Sequence, residues 1–329
     1  MRKRFTPAVL GVVTATACLL AGSAATGAAD VEGFRVTYEI GLIGDMPYGG
    51  TGRAQFPGVI ADMNAHGLAF TAFDGDIKNG REPCDRPFYD AALANFNSFH
   101  RPLVYVPGDN EWTDCDRALG GGYDPNGRLT LIRTMFAGTP RSFGSQTIQL
   151  QRQLRYPENV RWRYGPVMFL GLNIPGSDNN APRFDAAGDQ IDGDGAEYAA
   201  RNAANLTWLD KGFAAAEAAR SVAVMVVIQA DMWGTENASH YADTKTRLAR
   251  LCIAFRRQVV LVNGDSHVLH LDKPLLDGAG NTIENFTRVQ TFGSDQSHWV
   301  GATVDSRDPN VFTFHPHIVA ANLPVYVTP

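Results

Sequence analysis

Val262-Asn263-Gly264-Asp265-Ser266-His267 is an apolar, strand-like run that ends in Gly-Asp and carries a serine and a histidine just beyond. Three earlier runs end the same way: Ile43-Gly44-Asp45, Phe73-Asp74-Gly75-Asp76 and Val106-Pro107-Gly108-Asp109. As neighbouring strands, the four would bring their carboxylates to one edge of a sheet, the edge at which open α/β sheets bind ligands. Two carboxylates about 4 Å apart repel by ~4 kcal/mol at an effective dielectric near 20, so a gathering of them implies cations. One Gly-Asp at a strand end is an ordinary turn or helix cap. Four in order, the last running into Ser-His, point to a metal-dependent hydrolase site.

Working outward from these runs, the first half of the chain alternates strand and helix patterns. Strands are expected over residues 34–44, 68–73 and 103–106, and helices over 54–65, 86–99 and 128–137. Such alternation predicts a sheet with helical crossovers. A hairpin follows, over 160–164 and 167–172, turning at Gly165-Pro166. Residues 177–195 are rich in Gly, Asn and Asp and read as a surface loop, in which Asp194 and Glu197 make a capping box for the next helix. Buried strands at 222–228 and 259–262 flank a helix at 241–255. After Asp265 comes a β-rich tail, expected to be antiparallel, with strands near 285–292, 298–304, 311–314 and 323–327. Residues 30–329 therefore read as one α/β domain.

The ordered blocks resemble those of the calcineurin-like metallophosphoesterases, a family that includes purple acid phosphatases and many phosphodiesterases. The matching blocks are Asp45-Met46-Pro47, Gly75-Asp76, Gly108-Asp109-Asn110-Glu111, Gln229 after Val226-Val227-Ile228, and Gly264-Asp265-Ser266-His267. The resemblance implies two packed β-sheets flanked by helices, a four-layer sandwich, and one or two divalent metal ions. It also implies that Asp45, Asp76 and His267 hold one metal, with Asp76 bridging to a second held by Asp109, Gln229 and Asp265. Asn110 and His267 are the catalytic positions it suggests, acting on a phosphorylated small molecule.

This sequence departs from the family at four histidine positions, where Pro47, Asn110, Gln229 and Asp265 stand. The resulting oxygen-rich shell favours Mn²⁺, Mg²⁺ or Ca²⁺, with Fe²⁺ and Zn²⁺ as the alternatives. Asn110 cannot donate a proton as an acid, and general acid catalysis typically contributes 10²–10⁴-fold. His270 and His298 are candidate replacements, Asp231 is an alternative ligand, and Lys78 and Arg81 are candidate phosphate contacts. Tyr48 and Trp112 are expected to line a cleft or to pack, and Glu111 to support the Asp109 turn. The rival reading is a catalytically degenerate metal- or ligand-binding envelope protein of the same fold. A serine esterase using Ser266 is a weaker third.

Residues 1–29 open with Met1-Arg2-Lys3-Arg4, continue with an apolar stretch too short to span a bilayer, and end in small residues. That is the pattern of a cleaved signal peptide, which places the mature chain outside the cytoplasm, secreted or periplasmic, with no transmembrane anchor. Cleavage makes the net charge of −5 three units more negative. An acidic surface argues against nonspecific nucleic-acid binding, which relies on clustered Lys and Arg. Cys84 and Cys115 follow Asp76 and Asp109 closely, so neighbouring strands would set both over one rim, as a disulfide or as two free thiols. Cys252 lies in an apolar run and reads as buried.

Overall fold

The computed structural model describes residues 35–234 and 238–323, and the expected signal segment 1–29 lies outside the described residues. The chain enters through β1 (Thr37–Ile43), α1 (Gly49–Ala65), β2 (Thr71–Phe73), α2 (Arg86–Asn97), β3 (Leu103–Tyr105) and α3 (Pro125–Phe136). The helix α1 begins at Gly49 rather than at residue 54, because Gly49-Gly50 and the internal Pro57 disguise its first turns. Both α2 and α3 carry proline in the first turn, where the missing N–H has no intrahelical partner to lose, and the Asp124 carboxylate caps α3 by accepting from Gly127 N–H.

Next come β4 (Gln151–Gln153) and the hairpin of β5 (Tyr156–Tyr164) with β6 (Val167–Gly171), then a short hairpin of β7 (Arg183–Phe184) and β8 (Gln190–Asp192). The chain continues through α4 (Gly195–Ala218), β9 (Ala223–Val227), α5 (Ala242–Phe255) and β10 (Gln258–Asn263). It ends with β11 (His270–Asp272), β12 (Phe286–Gln290), β13 (Trp299–Asp305) and β14 (Phe312–His317).

Two mixed sheets result. The first has the order β14-β13-β1-β2-β3 and the second β11-β12-β10-β9-β6-β5-β4. Strand alternation assigns their faces. Ile40 and Leu42 of β1, with Val300, Ala302 and Val304 of β13, meet Phe169, Met225, Val260 and Val262 of the second sheet in a core between the two. The opposite face of the first sheet packs Ile43, Phe73 and Tyr105 against α1, α2 and α3 through Phe56, Val59, Tyr89, Phe96 and Ile132. Leu170, Val224, Val226 and Leu261 cover the far face of the second sheet beneath Trp208, Leu209, Phe213 and Leu248 of α4 and α5. The four-layer sandwich expected from the sequence is therefore the observed architecture.

Two expectations are corrected. The tail is not uniformly antiparallel: β12 runs parallel to β10, whereas β13 pairs antiparallel with β1 and β14 antiparallel with β13 at the edge of the first sheet. The 177–195 segment is also not simply a surface loop. Asp178, Asn179 and Asn180 are buried with left-handed backbone, their polar groups met by partners such as the Arg201 guanidinium on Asn179 Oδ1 at 2.6 Å. The capping box forms by half. Asp194 caps α4, while the Glu197 carboxylate turns to Arg201 at 2.7 Å. The last strand expected at 323–327 falls mostly on residues outside the described ones.

Cys84 and Cys115 are joined in a disulfide that ties the β2–α2 loop to the segment after β3, and Cys252 is buried. No helix among the described residues is long and apolar enough to cross a membrane. Closing a loop with a sequence separation of 31 is worth about 3–4 kcal/mol in the chain-entropy view. A Cys84→Ser/Cys115→Ser variant should lose stability of that order, read as a lower urea midpoint with a slope no smaller than the parent's, since the uncrosslinked denatured chain exposes more surface.

Candidate metal centre

Six strands deliver the candidate residues. The parallel trio β1, β2 and β3 and the parallel trio β6, β9 and β10 present their C-terminal ends to one place. Asp45 follows β1, Asp74 and Asp76 follow β2, and Asp109 and Asn110 follow β3. Gly176 and Ser177 follow β6, Gln229 follows β9, and Asp265 and His267 follow β10. Five of these residues sit in the left-handed region, with φ of 50° at Asp45, 61° at Asp76, 47° at Ser177, 76° at Asp265 and 62° at His267. Such conformations cost on the order of 1–3 kcal/mol each for residues other than glycine and collect at functional sites.

The glycines of the Gly-Asp pairs serve close approach. A Cβ added at Gly264 would lie 1.9 Å from Asp45 Oδ2, and one at Gly108 would lie 2.0 Å from Asp76 Oδ1. Only a bare backbone lets the carboxylates of neighbouring strands lie over it.

Asp45, Asp76 and His267 offer ligand atoms that all lie within 4.8 Å of one another. Asp45 and Asp76 are buried, and His267 Nε2 reaches to 3.4 Å from Asp45 Oδ1. The Asp45 carboxylate also accepts from Asp265 N–H, at 3.1 and 3.0 Å to its two oxygens. Asp76 Oδ2 accepts from the Tyr48 hydroxyl at 2.6 Å and from the Asn110 side-chain amide, which also donates to the Tyr48 oxygen at 2.7 Å. Asp76 Oδ1 takes the Asn110 backbone N–H at 3.1 Å. Two buried carboxylates and an imidazole on a preformed cradle suit a divalent cation.

The second half of the site is arranged differently. Gln229 is buried between Asp109 and Asp265, and Gly176 N–H donates to its Oε1 at 2.5 Å. That contact fixes the amide so that Nε2 donates to Asp109 Oδ1 at 2.8 Å and to Asp265 Oδ1 at 3.3 Å. An amide N–H₂ thus joins the two carboxylates, and the glutamine oxygen faces away from them. The Ser177 hydroxyl lies 2.6 Å from Asp109 Oδ2 and 2.7 Å from Asp114 Oδ1. Arg117 pairs with Asp114 and donates to Ser177 Oγ at 3.0 Å.

Other singled-out residues lie around this centre. Glu111 Oε1 accepts from Gly108 N–H, Asp76 N–H and the Tyr105 hydroxyl at 2.7, 3.2 and 2.7 Å, so it supports the turn. Lys78 is buried and gives its ammonium to the carbonyls of Asn79 and Glu82. Trp112 is fully buried packing. The Asp231 carboxylate accepts from Ser266 Oγ and Arg288 at 2.7 Å each, so the serine faces an acid. His298 Nδ1 accepts from Val319 N–H, and His270 is exposed on β11.

Sequence reasoning missed Ser177, Asp114 and Asp74 as parts of the site. Asp74 lies buried behind Asp45, with one oxygen accepting from Thr291 Oγ1 at 2.9 Å and the other unpartnered. A signal for Ser177 exists: Gly176-Ser177 follows the apolar run of β6 as Gly-Asp follows the others.

Burial sets the electrostatics. Desolvation raises the carboxyl pKa values of Asp45, Asp74, Asp76 and Glu111, and neighbouring carboxylates add to it at each. Burial opposes a charged His267, yet the Asp45 hydrogen bond and charge prevail and raise its pKa. Asp114 is pushed from 3.8 to about 7 by burial and by Asp109, against the opposing Arg117. A carboxyl whose folded pKa is raised takes up a proton on folding, so its stabilising contribution is full below 3.8 and is lost as pH rises toward 7. In chelator-treated protein, the stability of the parent chain relative to Asp114→Asn should therefore fall between about pH 4 and 7 and level off above. Urea melts across that range would show the slope, and a rise with pH would contradict it.

The sequence matches no protein-family model and no curated protein. Solved structures do match in fold. A dimetal phosphatase from Danio rerio aligns with a TM-score of 0.50 and 13% identity over 85% of this chain and 99% of that one. A purple acid phosphatase from yellow lupin (Lupinus luteus) seeds aligns with a TM-score of 0.50 and 10% identity over 85% of this chain, which spans 53% of the lupin protein. With its two sheets, flanking helices and strand-end acids, the chain has the calcineurin-like metallophosphoesterase fold.

Proposed function

We propose that the mature chain is an exported, metal-dependent phosphoric ester hydrolase. The observation that carries this reading is the convergence of Asp45, Asp76 and His267 on left-handed backbone at the ends of β1, β2 and β10. A protein gains no stability from holding buried acids on strained backbone, so the arrangement needs a use. Asp45, Asp76 and His267 would hold the ion, and Mn²⁺, Mg²⁺ or Ca²⁺ suits their oxygen-rich surroundings. A divalent ion there supplies the positive charge that polarises a phosphoryl group.

The chain's own residues do the rest. His267 is part-exposed whereas Asp45 and Asp76 are buried, so a phosphate ester would reach the cluster from the His267 side. Tyr48 and Asn110 hold the Asp76 carboxylate in one orientation, and Asn110 serves this reading as a positioning residue. Asn110 cannot donate a proton as an acid, so the preferred esters are those whose leaving group is a weak base. The Cys84–Cys115 disulfide supports an oxidising compartment outside the cytoplasm.

A second reading rests on Gln229. Its amide joins Asp109 to Asp265 where the resemblance implies a second ion, which favours a member that binds one metal, or a metal and an anion, without turnover. To separate the two, residues 30–329 are stripped with chelator and assayed on an aryl phosphomonoester and a phosphodiester with Mn²⁺, Mg²⁺, Ca²⁺, Zn²⁺ and Fe²⁺ restored. Hydrolysis predicts metal-restored turnover, a steep dependence on leaving-group basicity, and at least a hundredfold loss in Asp76→Asn. Metal binding by calorimetry with no turnover on any ester would establish the binding protein instead.

A further inference from the structure

Away from these acids, a second group of ligand-type side chains meets where the last turn of α1 crosses β1, β13 and β14. Asp62, His66 and His317 each offer a ligand atom within 4.8 Å of the others, and Glu39 Oε1 lies 3.4 Å from His317 Nε2. Asp62 lies in the last turn of α1 and His66 is the residue just past its end, four positions on. Glu39 and His317 share the helix-facing side of the sheet with Trp299 and Gly301, since Trp299 pairs directly with His317.

Each ligand is held by a neighbour. Trp299 Nε1 donates to Asp62 Oδ1 at 2.8 Å, and the His317 ring stacks on the Trp299 ring at 3.7 Å with 6° between planes. His66 Nδ1 lies 2.8 Å from the Asp62 backbone carbonyl. A carbonyl only accepts, so Nδ1 carries the proton and Nε2 keeps a lone pair, the usual state of a metal-binding imidazole. His317 Nε2 is buried, with Glu39 Oε1 beside it at 3.4 Å, longer than a good hydrogen bond. Gly301 makes room for the meeting: a Cβ there would lie 2.4 Å from Glu39 Oε1 and 2.7 Å from His317 Nε2. Glycine inside a strand often marks such a close approach. The last turn of α1 also has no basic residue, although a helix C-terminus favours a cation. The four side chains are 25–35% exposed, so an ion can enter from solvent.

We propose that Asp62, His66, His317 and Glu39 form a separate divalent-metal site that pins the C-terminal end of α1 to the outer strands of the first sheet. Two imidazoles with two carboxylates suit Zn²⁺ and Co²⁺ better than Mg²⁺ or Ca²⁺. The inference stands whether or not the chain hydrolyses phosphate esters.

The test uses residues 30–329 carrying Asp76→Asn, which disables the other cluster. The chelator-treated protein is titrated with Zn²⁺ by calorimetry and with Co²⁺ by its visible spectrum. One ion per chain is expected, with a higher melting temperature. His66→Gln and Asp62→Asn, each added to that background, should weaken binding by about tenfold or more, the scale seen when a metal site is disturbed. Gly301→Ala should do the same by displacing Glu39 and His317, and circular dichroism verifies that each variant folds. The parent chain, titrated in parallel, should lose one ion on His66→Gln even if Asp76→Asn misfolds. Zn²⁺ affinity unchanged in folded His66→Gln and Asp62→Asn, or no binding to a folded Asp76→Asn chain, would overturn the site.

Discussion

Buried carboxylates gathered at the ends of parallel strands are the constraint around which this molecule is built. Left alone, Asp45, Asp74, Asp76 and Asp109 would repel one another and suffer the loss of water together. The observed answer is a shell of neutral donors: the Tyr48 hydroxyl, the Asn110 and Gln229 amides, the Ser177 hydroxyl, and backbone N–H groups of Asn110 and Asp265. Hydrogen bonds to ionised groups contribute about 1.5–3 kcal/mol, enough to hold the cluster but not to erase its demand for positive charge. The raised pKa values record that remaining demand. The glycine-lined close approach and the left-handed residues follow, because strands must end abruptly to bring the acids together.

Gln229 shows how one part of that demand is met without an ion. A neutral amide with two N–H groups, aimed by Gly176, spans the gap between Asp109 and Asp265. A histidine in its place would offer one lone pair or, protonated, a full charge; the glutamine offers partial charges in fixed directions. The two halves of the site therefore differ in chemistry: one presents carboxylates and an imidazole, the other a closed hydrogen-bonded set. The Ser177–Asp114–Arg117 link extends that closed set toward the surface.

Much of this was legible in sequence because strand ends obey local rules. An apolar run that stops at Gly-Asp announces both a buried strand and an acid at its C-terminal end, and four such runs pointed to Asp45, Asp76, Asp109 and Asp265. They are not neighbours in one sheet, however, since the first three end β1, β2 and β3 of the first sheet and the fourth ends β10 of the second. Side-chain direction was not legible. Nothing near Gln229 in sequence tells which way its amide turns, since the deciding N–H comes from a loop more than fifty residues earlier. Ser177 was hidden because polar composition reads as exposure, whereas Asp178 to Asn180 are buried among partners that the packed helix α4, Arg183 and His240 supply. The tail misled for a related reason. Alternation identifies strands but not partners, and only β12 crosses over to run beside β10.

The helix α1 links the two ends of the first sheet. Tyr48 caps its start and reaches Asp76, while Asp62 and His66 lie in and just after its last turn beside His317. Seventeen residues at 1.5 Å each make a rod of about 25 Å, and Phe56, Val59 and Met63 press it onto the sheet. A rod so packed shifts as a unit, so whatever fixes its far end limits how Tyr48 sits at the near one. Met63 also lies over Gly41 of β1, where a Cβ would meet its Cε at 2.4 Å, and that contact sets the depth at which the helix rides. The orientation of the Asp76 carboxylate is in this way a property of the helix layer as well as of the strand ends that carry it.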